Sequence, residues 1–211
     1  MNSTRHKKNI IKSGTMTMTT VGTDNEMSFQ MAGFGSFTID WDDGSPIETH
    51  TFEHPYGSNF YICCYYHKYS DTSSHSITIT GKIAYLKCDY CSLISLDVSN
   101  NTSLDYLKCC HNQLTSLDIS KNATLKYLYC AHNQLTNLDV SNNIKLVHFD
   151  CGFNQLPLDA LFEMLRKDPE GKKYRWINIK DNPAVKDCNR SIAENKGWKI
   201  FEEDTDDWIY E

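Results

Sequence analysis

The sequence predicts a mixed α/β but mostly β fold, in which a small β-sandwich-like domain precedes a short solenoid with a 21-residue period. Cys88, Cys109, Cys130 and Cys151 lie 21 residues apart, and apolar residues keep the same interval on either side of them. Residues 15–81 lack this period and instead alternate polar and apolar residues in short runs. Repetition at a fixed period indicates coils that stack on one another.

Each repeat reads L-x-x-L-x-C-x-x-N-x-L, followed by x-x-L-D-[VI]-S-x-N. The alternation of a strand places Leu and Cys of L-x-C on one side and the residue between them on the other. One coil cannot bury that apolar side alone, but stacked coils form a continuous core, in which a free thiol serves as a small apolar group. The recurring asparagine can satisfy backbone groups where the chain leaves the strand. We therefore predict structural roles for the four cysteines and for Asn112, Asn133 and Asn154, with Cys91 in the place of the asparagine in the first repeat.

The phrases C-x-x-N-Q-L-T-x-L-D-[VI]-S-x-N resemble the short leucine-rich repeats of cell-surface proteins from gut Bacteroidetes, related to the internalin and BspA-like groups. This resemblance covers residues 83–156, within a predicted repeat region of residues 82–156. It implies a non-catalytic binding or adhesion protein at the cell surface or in the secreted fraction. Residues 1–20 have a basic start but no apolar stretch of a signal peptide, so a cytoplasmic location stays open.

Residues 157–201 are predicted to cap the solenoid. Apolar residues at helical spacing predict a helix from Leu158 to Leu165, and residues 174–179 and 198–201 read as strands. A second helix is expected over residues 188–196. The remaining residues, 202–211, form an acidic tail.

The N-terminal domain is predicted over residues 15–81, after a flexible segment of residues 1–14. The phrases I-D-W-D-D-G-S-P and E-H-P-Y resemble a PKD-like β-sandwich, although Asp42 stands where that family has Gly. Such domains act as spacers or cap a neighbour. Because Ile83 follows Gly81 with no linker, we expect rigid docking onto the solenoid.

Composition excludes several classes of partner. The net charge of −6 argues against a general affinity for nucleic acid. No apolar run approaches the ~20 residues that a membrane-spanning helix needs.

The residues also predict no catalytic site, no cofactor and no metal site. A catalytic cysteine needs a histidine within reach, and His111 and His132 are out of phase with the repeated cysteines. A thiol-dependent enzyme is therefore the least favoured alternative. The turn at Asp42 and Asp43 offers oxygen ligands for Ca²⁺, but its spacing is not that of an EF-hand, and a solvated turn is favoured.

The predicted binding residues form columns opposite the buried Leu and Cys side chains. Adjacent strands lie ~4.8 Å apart, so residues at the same repeat position make a contiguous stripe. Aromatic residues are enriched at interfaces, although these columns could also serve only to stabilise the sheet by stacking. The binding candidates are Tyr85, Tyr106, Tyr127, His148, Lys108, Tyr129, His111 and His132.

We therefore expect protein–protein interaction or adhesion through this face, with a partner on a host or bacterial surface. The alternative is a glycan-binding protein that uses the same aromatic face, because flat rings also suit sugar rings. A nucleic acid partner and a membrane-spanning segment are not expected.

Overall fold

The structure is a computed structural model, and it describes residues 14–22, 26–53, 62–167 and 174–203. Within these ranges the strands are β1 (Thr15–Thr20), β2 (Glu26–Asp40), β3 (Glu48–Thr51), β4 (Cys63–Lys68), β5 (Ser76–Lys87), β6 (Leu93–Asp97), β7 (Tyr106–Lys108), β8 (Tyr127–Tyr129), β9 (His148–Asp150), β10 (Arg175–Asn178) and β11 (Trp198–Phe201). The helices are α1 (Leu158–Met164) and α2 (Ser191–Glu194). The longest of them, α1, has seven residues, and no helix in the described ranges could cross a membrane.

A parallel stack of short strands runs through the repeats. The strands β5, β7, β8, β9, β10 and β11 pair in that order, and the first five align Tyr85, Tyr106, Tyr127, His148 and Trp176 in one row. The stack forms a β-solenoid of about five turns with a period of about 21 residues. The predicted fold class, mostly β with a short solenoid of this period, is confirmed.

One strand belongs to both the N-terminal part and the solenoid. The first half of β5 pairs with β1 and with the end of β2, whereas its second half pairs with the start of β2 and with β7. The predicted domain boundary between residues 81 and 82 lies inside β5. The division into two domains stays a prediction, but a continuous strand crosses it, and β2 covers the side of the first coil that no preceding repeat covers.

Two glycines allow β2 and β5 to lie this close where their register shifts. A Cβ on Gly33 would stand 2.3 Å from the carbonyl oxygen of Lys82, and one on Gly81 would stand 2.4 Å from the Cβ of Phe37. The register of the pair shifts between Ala32 and Gly33. Because real Cβ atoms do not approach other atoms so closely, this junction requires glycine.

The buried side chains form one continuous cluster from Met16 to Trp198. Each coil contributes leucines and its repeated cysteine, the first coil also contributes Cys91, and the cluster continues without a break into the methionines of β1 and β2. A shared core of this kind couples the stability of the parts that contribute to it.

The C-terminal elements close the far end of the stack. The predicted helix after residue 157 is confirmed as α1, with Leu158, Leu161 and Phe162 buried, and the two predicted strands are confirmed as β10 and β11. The helix expected over residues 188–196 is shorter and spans Ser191–Glu194. Just before it, the backbone N–H of Asn189 donates to the carboxylate of Asp159 at 2.7 Å.

We predict that Gly33→Ala destabilises the N-terminal part and the solenoid together, by about 1–3 kcal/mol, the usual cost of forcing extra atoms into a packed site. Urea unfolding can be followed by fluorescence in variants that retain either Trp41 or Trp198. Both probes should report one transition at the same lowered midpoint. Gly44→Asn is the control, because Gly44 has a φ of +81°, no atom within 4 Å of an added Cβ, and a conformation that Asn tolerates. Two separate transitions in Gly33→Ala would contradict the prediction.

Candidate functional site

A ladder of buried asparagines holds consecutive coils in register. The side-chain N–H₂ of Asn133 donates to the carbonyls of Cys109, Cys130 and Ala131 at 3.0–3.2 Å. Its side-chain oxygen accepts from the backbone N–H of Leu114 at 3.0 Å. Asn112 and Asn154 make equivalent bonds in their own coils. Each asparagine therefore satisfies buried backbone groups of its own coil and of the coil before it.

The first coil has Cys91 in the asparagine position because no coil precedes it. Its thiol donates to the carbonyl oxygen of Ser28 on β2 at 3.1 Å. An asparagine here would lack the carbonyls of a preceding coil that its equivalents use. Cys91 instead ties the first coil to the strand that covers it.

The four repeated cysteines are fully buried in the core, where all of them are free thiols. Burial raises the pKa of Cys88, Cys109, Cys130 and Cys151, so they stay protonated at neutral pH. A nucleophilic cysteine needs a thiolate. The position of the four repeated cysteines therefore suits a packing role. Among the residues that the structure describes, the exposed cysteine is Cys64 on β4.

A second column of buried asparagines, Asn101, Asn122 and Asn143, closes the repeat pattern L-D-[VI]-S-x-N, and no structural role was predicted for it. The side chain of Asn122 donates to the carbonyls of Val98 and Asn101, and Asn143 repeats this one coil later. Their 21-residue interval is the signal from which the same structural role as that of Asn112, Asn133 and Asn154 could have been predicted. The stack is thus bonded laterally at two corners of each coil.

Aromatic rings opposite the core form what we call the strand-face column: Tyr85, Tyr106, Tyr127, His148 and Trp176. Ring centroids of successive members lie 4.3, 5.8, 5.1 and 5.0 Å apart. The end members Tyr85 and Trp176 are buried, and the three members between them are partly exposed. The column predicted from the repeat therefore exists, and its rings stabilise one another while they line the surface.

Tyr129 extends the strand-face column sideways. Its ring lies 5.4 Å from that of Tyr106 and 6.0 Å from that of Trp176. Burial raises the pKa of Tyr106 and Tyr129 and lowers the pKa of His148. These side chains are therefore uncharged at neutral pH, and the surface that they form is aromatic and hydroxyl-bearing.

The structure corrects the prediction that Lys108 is an exposed binding residue. Lys108 is only 5% exposed, and its ammonium group pairs with the carboxylate of Asp89 at 3.1 Å. Asp89 also accepts the backbone N–H of Cys110 at 2.8 Å. Burial raises the pKa of the Asp89 carboxyl, and the charge of Lys108 acts in the opposite direction. The repeat pattern could not reveal this pair because only the first coil has an acidic residue at that position.

A second stack of rings, which we call the turn ladder, consists of Tyr90, His111, His132 and Phe153. Successive ring centroids lie 4.2, 4.0 and 3.8 Å apart, and interplanar angles do not exceed 14°. The backbone N–H of His111 donates to the carbonyl of Ala131, and that of His132 donates to the carbonyl of Gly152. The two predicted histidines therefore lie together, outside the cysteine core.

All residues of the turn ladder have left-handed backbone conformations, with φ between 51° and 55°. Histidine is among the residues that tolerate the left-handed region. For Tyr90 and Phe153 this backbone conformation costs about 1–2 kcal/mol each. Each stacked aromatic pair stabilises the fold by about 0.5–1.5 kcal/mol. The stacking therefore offsets the strain that the turn imposes.

The acidic turn of the N-terminal part uses its carboxylates in internal hydrogen bonds. Hydrogen bonds from Ser45 hold the pKa of Asp43 well below its usual range, and Asp43 also contacts His67 at 2.8 Å. Asp42 accepts the backbone N–H of Ser76. No group of His, Cys, Asp and Glu side chains within the described ranges has the arrangement of a metal site. The predicted PKD-like residues His54 and Tyr56 lie outside those ranges.

The comparisons with known proteins give a structural neighbour but no family. No protein-family model matches the sequence, and no curated protein matches it. Among solved structures, the chain is similar to the functional domain of InlJ from Listeria monocytogenes, which is described as including a cysteine ladder. The two are 26% identical, with a TM-score of 0.43, and the match covers 56% of this chain and 24% of that one. The chain thus spans about a quarter of the length of that protein's chain. The Bacteroidetes origin predicted from the sequence stays a prediction.

We predict that the four repeated cysteines do not react with a thiol reagent until the protein unfolds. Titration of the native protein with Ellman's reagent should modify Cys64 quickly and leave Cys88, Cys109, Cys130 and Cys151 unmodified, as peptide mass spectrometry can verify. In denaturant all of them should react. Full reaction of the four in the native state would show that they are not in the core.

We predict that Asn133→Asp destabilises the protein by about 3–5 kcal/mol at pH 7, since it places a carboxylate against carbonyl oxygens. Burial should raise the pKa of this carboxyl above its unfolded value, so the loss of stability should grow as pH rises from about 4 to 7. Urea unfolding at both pH values measures it. Gln134→Glu is the exposed control, and an Asn133→Asp variant as stable as this control would disprove the role of the ladder.

Proposed function

We propose that this chain is a non-catalytic binding module that recognises a protein partner through the strand face of its solenoid. The observation that carries the proposal is the strand-face column together with Tyr129. Its partly exposed members Tyr106, Tyr127 and His148 offer ring edges and polar atoms at the surface. Aromatic side chains with a polar tip are enriched at interfaces because they bury a large area for little lost entropy.

The breadth of the sheet supports a protein partner. The strand face continues from the solenoid onto β2 and β4, where Gln30 pairs with both Lys87 and Cys64 in register. At ~4.8 Å per strand, the sheet from β4 to β11 is about 34 Å wide. A surface of this width can accommodate the roughly 800 Å² that one partner buries in a typical protein interface.

The stacking of the rings favours a protein over a glycan. Sugar rings bind to open aromatic faces, but Tyr85 and Tyr106 stack on each other at 4.3 Å with an interplanar angle of 18°. His148 and Trp176 are stacked in the same way at 5.0 Å. The column therefore presents edges more than faces, and edges suit the mixed surface of a protein.

The proposal includes a location and a role for the N-terminal part. We place the module at a cell surface or in the secreted fraction, where a partner on a host or bacterial surface is accessible. The N-terminal part acts as a PKD-like cap of the first coil, a role supported by the bond from Cys91 to Ser28. The buried, protonated thiols support a non-catalytic role.

We predict that the triple variant Tyr106→Ala, Tyr127→Ala and Tyr129→Ala loses the proteins that the immobilised wild-type chain captures from a cell-surface extract. Central aromatic anchors commonly cost about 2 kcal/mol or more when truncated. Quantitative mass spectrometry of the captured proteins measures the loss. The matched control, Asp118→Ala with Asp139→Ala, changes exposed side chains of a different segment of the coils and should capture the same proteins as the wild type.

Three further measurements separate the alternatives. Circular dichroism shows whether the triple variant still folds, and single Tyr→Phe variants, which keep the rings stacked, test binding if it does not. A folded triple variant with unchanged capture would place the site elsewhere. Binding to a glycan array that depends on the same three tyrosines, without protein capture, would establish the glycan alternative.

A further inference from the structure

A small cavity lies where β4, β2 and β5 meet, and its volume is about 140 Å³. We call it the junction pocket, which is lined by Ser28, Phe29, Gln30, Cys64, Lys87 and Asp89. Gln30 pairs in register with Cys64 on one side and with Lys87 on the other. Residues paired in this way point to the same side of a sheet. Three adjacent strands therefore contribute one side chain each to the pocket.

The junction pocket adjoins the strand-face column. Lys87 follows Tyr85 by two residues on β5, so both side chains lie on the face opposite the core. Tyr85 in turn stacks on Tyr106 at 4.3 Å. A partner that covers the column can therefore also place a side chain in the pocket.

Two polar side chains of the junction pocket have no partner among the residues that the structure describes. There, the ammonium group of Lys87 forms no ion pair or hydrogen bond, and the side-chain amide of Gln30 forms no hydrogen bond. Both side chains are partly exposed. Lysine offers three N–H donors and no acceptor, and glutamine offers two donors and one acceptor oxygen. The pocket is thus rich in donors and suits a ligand that is rich in acceptors.

The junction pocket carries an excess of positive charge. The carboxylate in its lining, Asp89, is held by the ammonium group of Lys108 at 3.1 Å and by the backbone N–H of Cys110 at 2.8 Å. The pair of Asp89 and Lys108 is neutral as a unit. The charge of Lys87 is therefore not balanced within the pocket.

Two further carboxylates on the strand side of the sheet do not offset the charge of Lys87. Glu26 comes four residues before Gln30 on β2, ~13 Å along an extended strand, and pairs with Lys68 at 3.2 Å. Asp150 lies three strands from Lys87, ~14 Å across the sheet, and is 1% exposed. Both separations exceed the ~8–10 Å beyond which salt largely screens charges. The pocket thus stays positive in a chain whose net charge is −6.

We propose that the junction pocket receives the carboxylate of a glutamate or aspartate side chain of the protein partner. The ammonium group of Lys87 pairs with this carboxylate, and the side-chain N–H₂ of Gln30 donates a hydrogen bond to it. This inference rests on the proposed function and deepens it, because it names a residue type that the partner presents beside the tyrosines. A charge pair next to an aromatic contact fixes how the partner is oriented.

The exposed thiol of Cys64 in the pocket lining allows a test that needs no partner. The full chain is equilibrated at pH 7 with the thiol and disulfide forms of 3-mercaptopropionate and cysteamine at equal concentrations. Disulfide exchange then places a carboxylate or an ammonium group on the same two-carbon arm, and peptide mass spectrometry measures both adducts at Cys64. We expect the carboxylate adduct to exceed the ammonium adduct about threefold, relative to the chain unfolded in urea. Added salt should reduce this excess.

Two substitutions make the result specific to the junction pocket. Lys87→Met removes the ammonium group, and Gln30→Glu replaces the donor amide with a carboxylate of the same shape. Both should bring the adduct ratio at Cys64 close to that of the unfolded chain. Lys82→Met is the matched control, because it removes an exposed lysine of the same strand outside the pocket, and it should keep the wild-type ratio. Circular dichroism verifies that all three variants fold.

The capture experiment connects the pocket to the partner. Lys87→Met should retain at most about a third of the proteins that the wild type captures, and Lys82→Met should retain them all. Equal adducts in the folded wild type, or an excess that survives Lys87→Met, would overturn the inference. Unchanged capture by Lys87→Met would overturn it too, and loss of capture in the tyrosine triple variant would then leave the strand-face proposal standing. A wild type that captures no protein would overturn the proposed function and this inference with it.

Discussion

The constraint on which the rest of the structure depends is the lateral hydrogen bonding between consecutive coils. A strand of three residues, such as β7 or β8, makes too few bonds to hold its position by itself. The asparagine ladder supplies additional bonds at every step, and each of its side chains joins two coils. Since a one-residue slip would leave these buried groups without partners, the ladder sets the 21-residue register.

The aromatic columns follow from that register. Once neighbouring strands are in phase, side chains at equivalent positions must lie within contact distance, whether or not they bind anything. Stacking is therefore an expected result of the repeat, and the strand-face column has a structural role even without a partner. What the register does not require is a large, exposed, strained ring at the turn, and this difference separates the turn ladder from the strand-face column.

The parts of the structure that repeat were predictable from the sequence, and the parts that occur once were not. The burial of the cysteines and the alignment of Tyr106 with Tyr127 follow from periodicity. The pair of Asp89 and Lys108 does not, because the equivalents of Asp89 in later coils are not acidic. The pairing of β5 with strands of both the N-terminal part and the solenoid was not predictable either. A strand that changes its pairing partners halfway along its length shows the same alternation of polar and apolar residues as one that does not.

The bond from Cys91 to Ser28 also has a consequence for how such a chain can change in length. The first coil is specialised to meet an antiparallel strand, and the last is specialised to meet α1 and β10. The coils between them meet only copies of themselves. Duplication or loss of one 21-residue unit within that interior would add or remove one rung from every ladder while both terminal contacts stay intact. The 21-residue coil is therefore a unit by which the solenoid can lengthen or shorten, and the length of its strand face can change in whole coils while both ends stay the same.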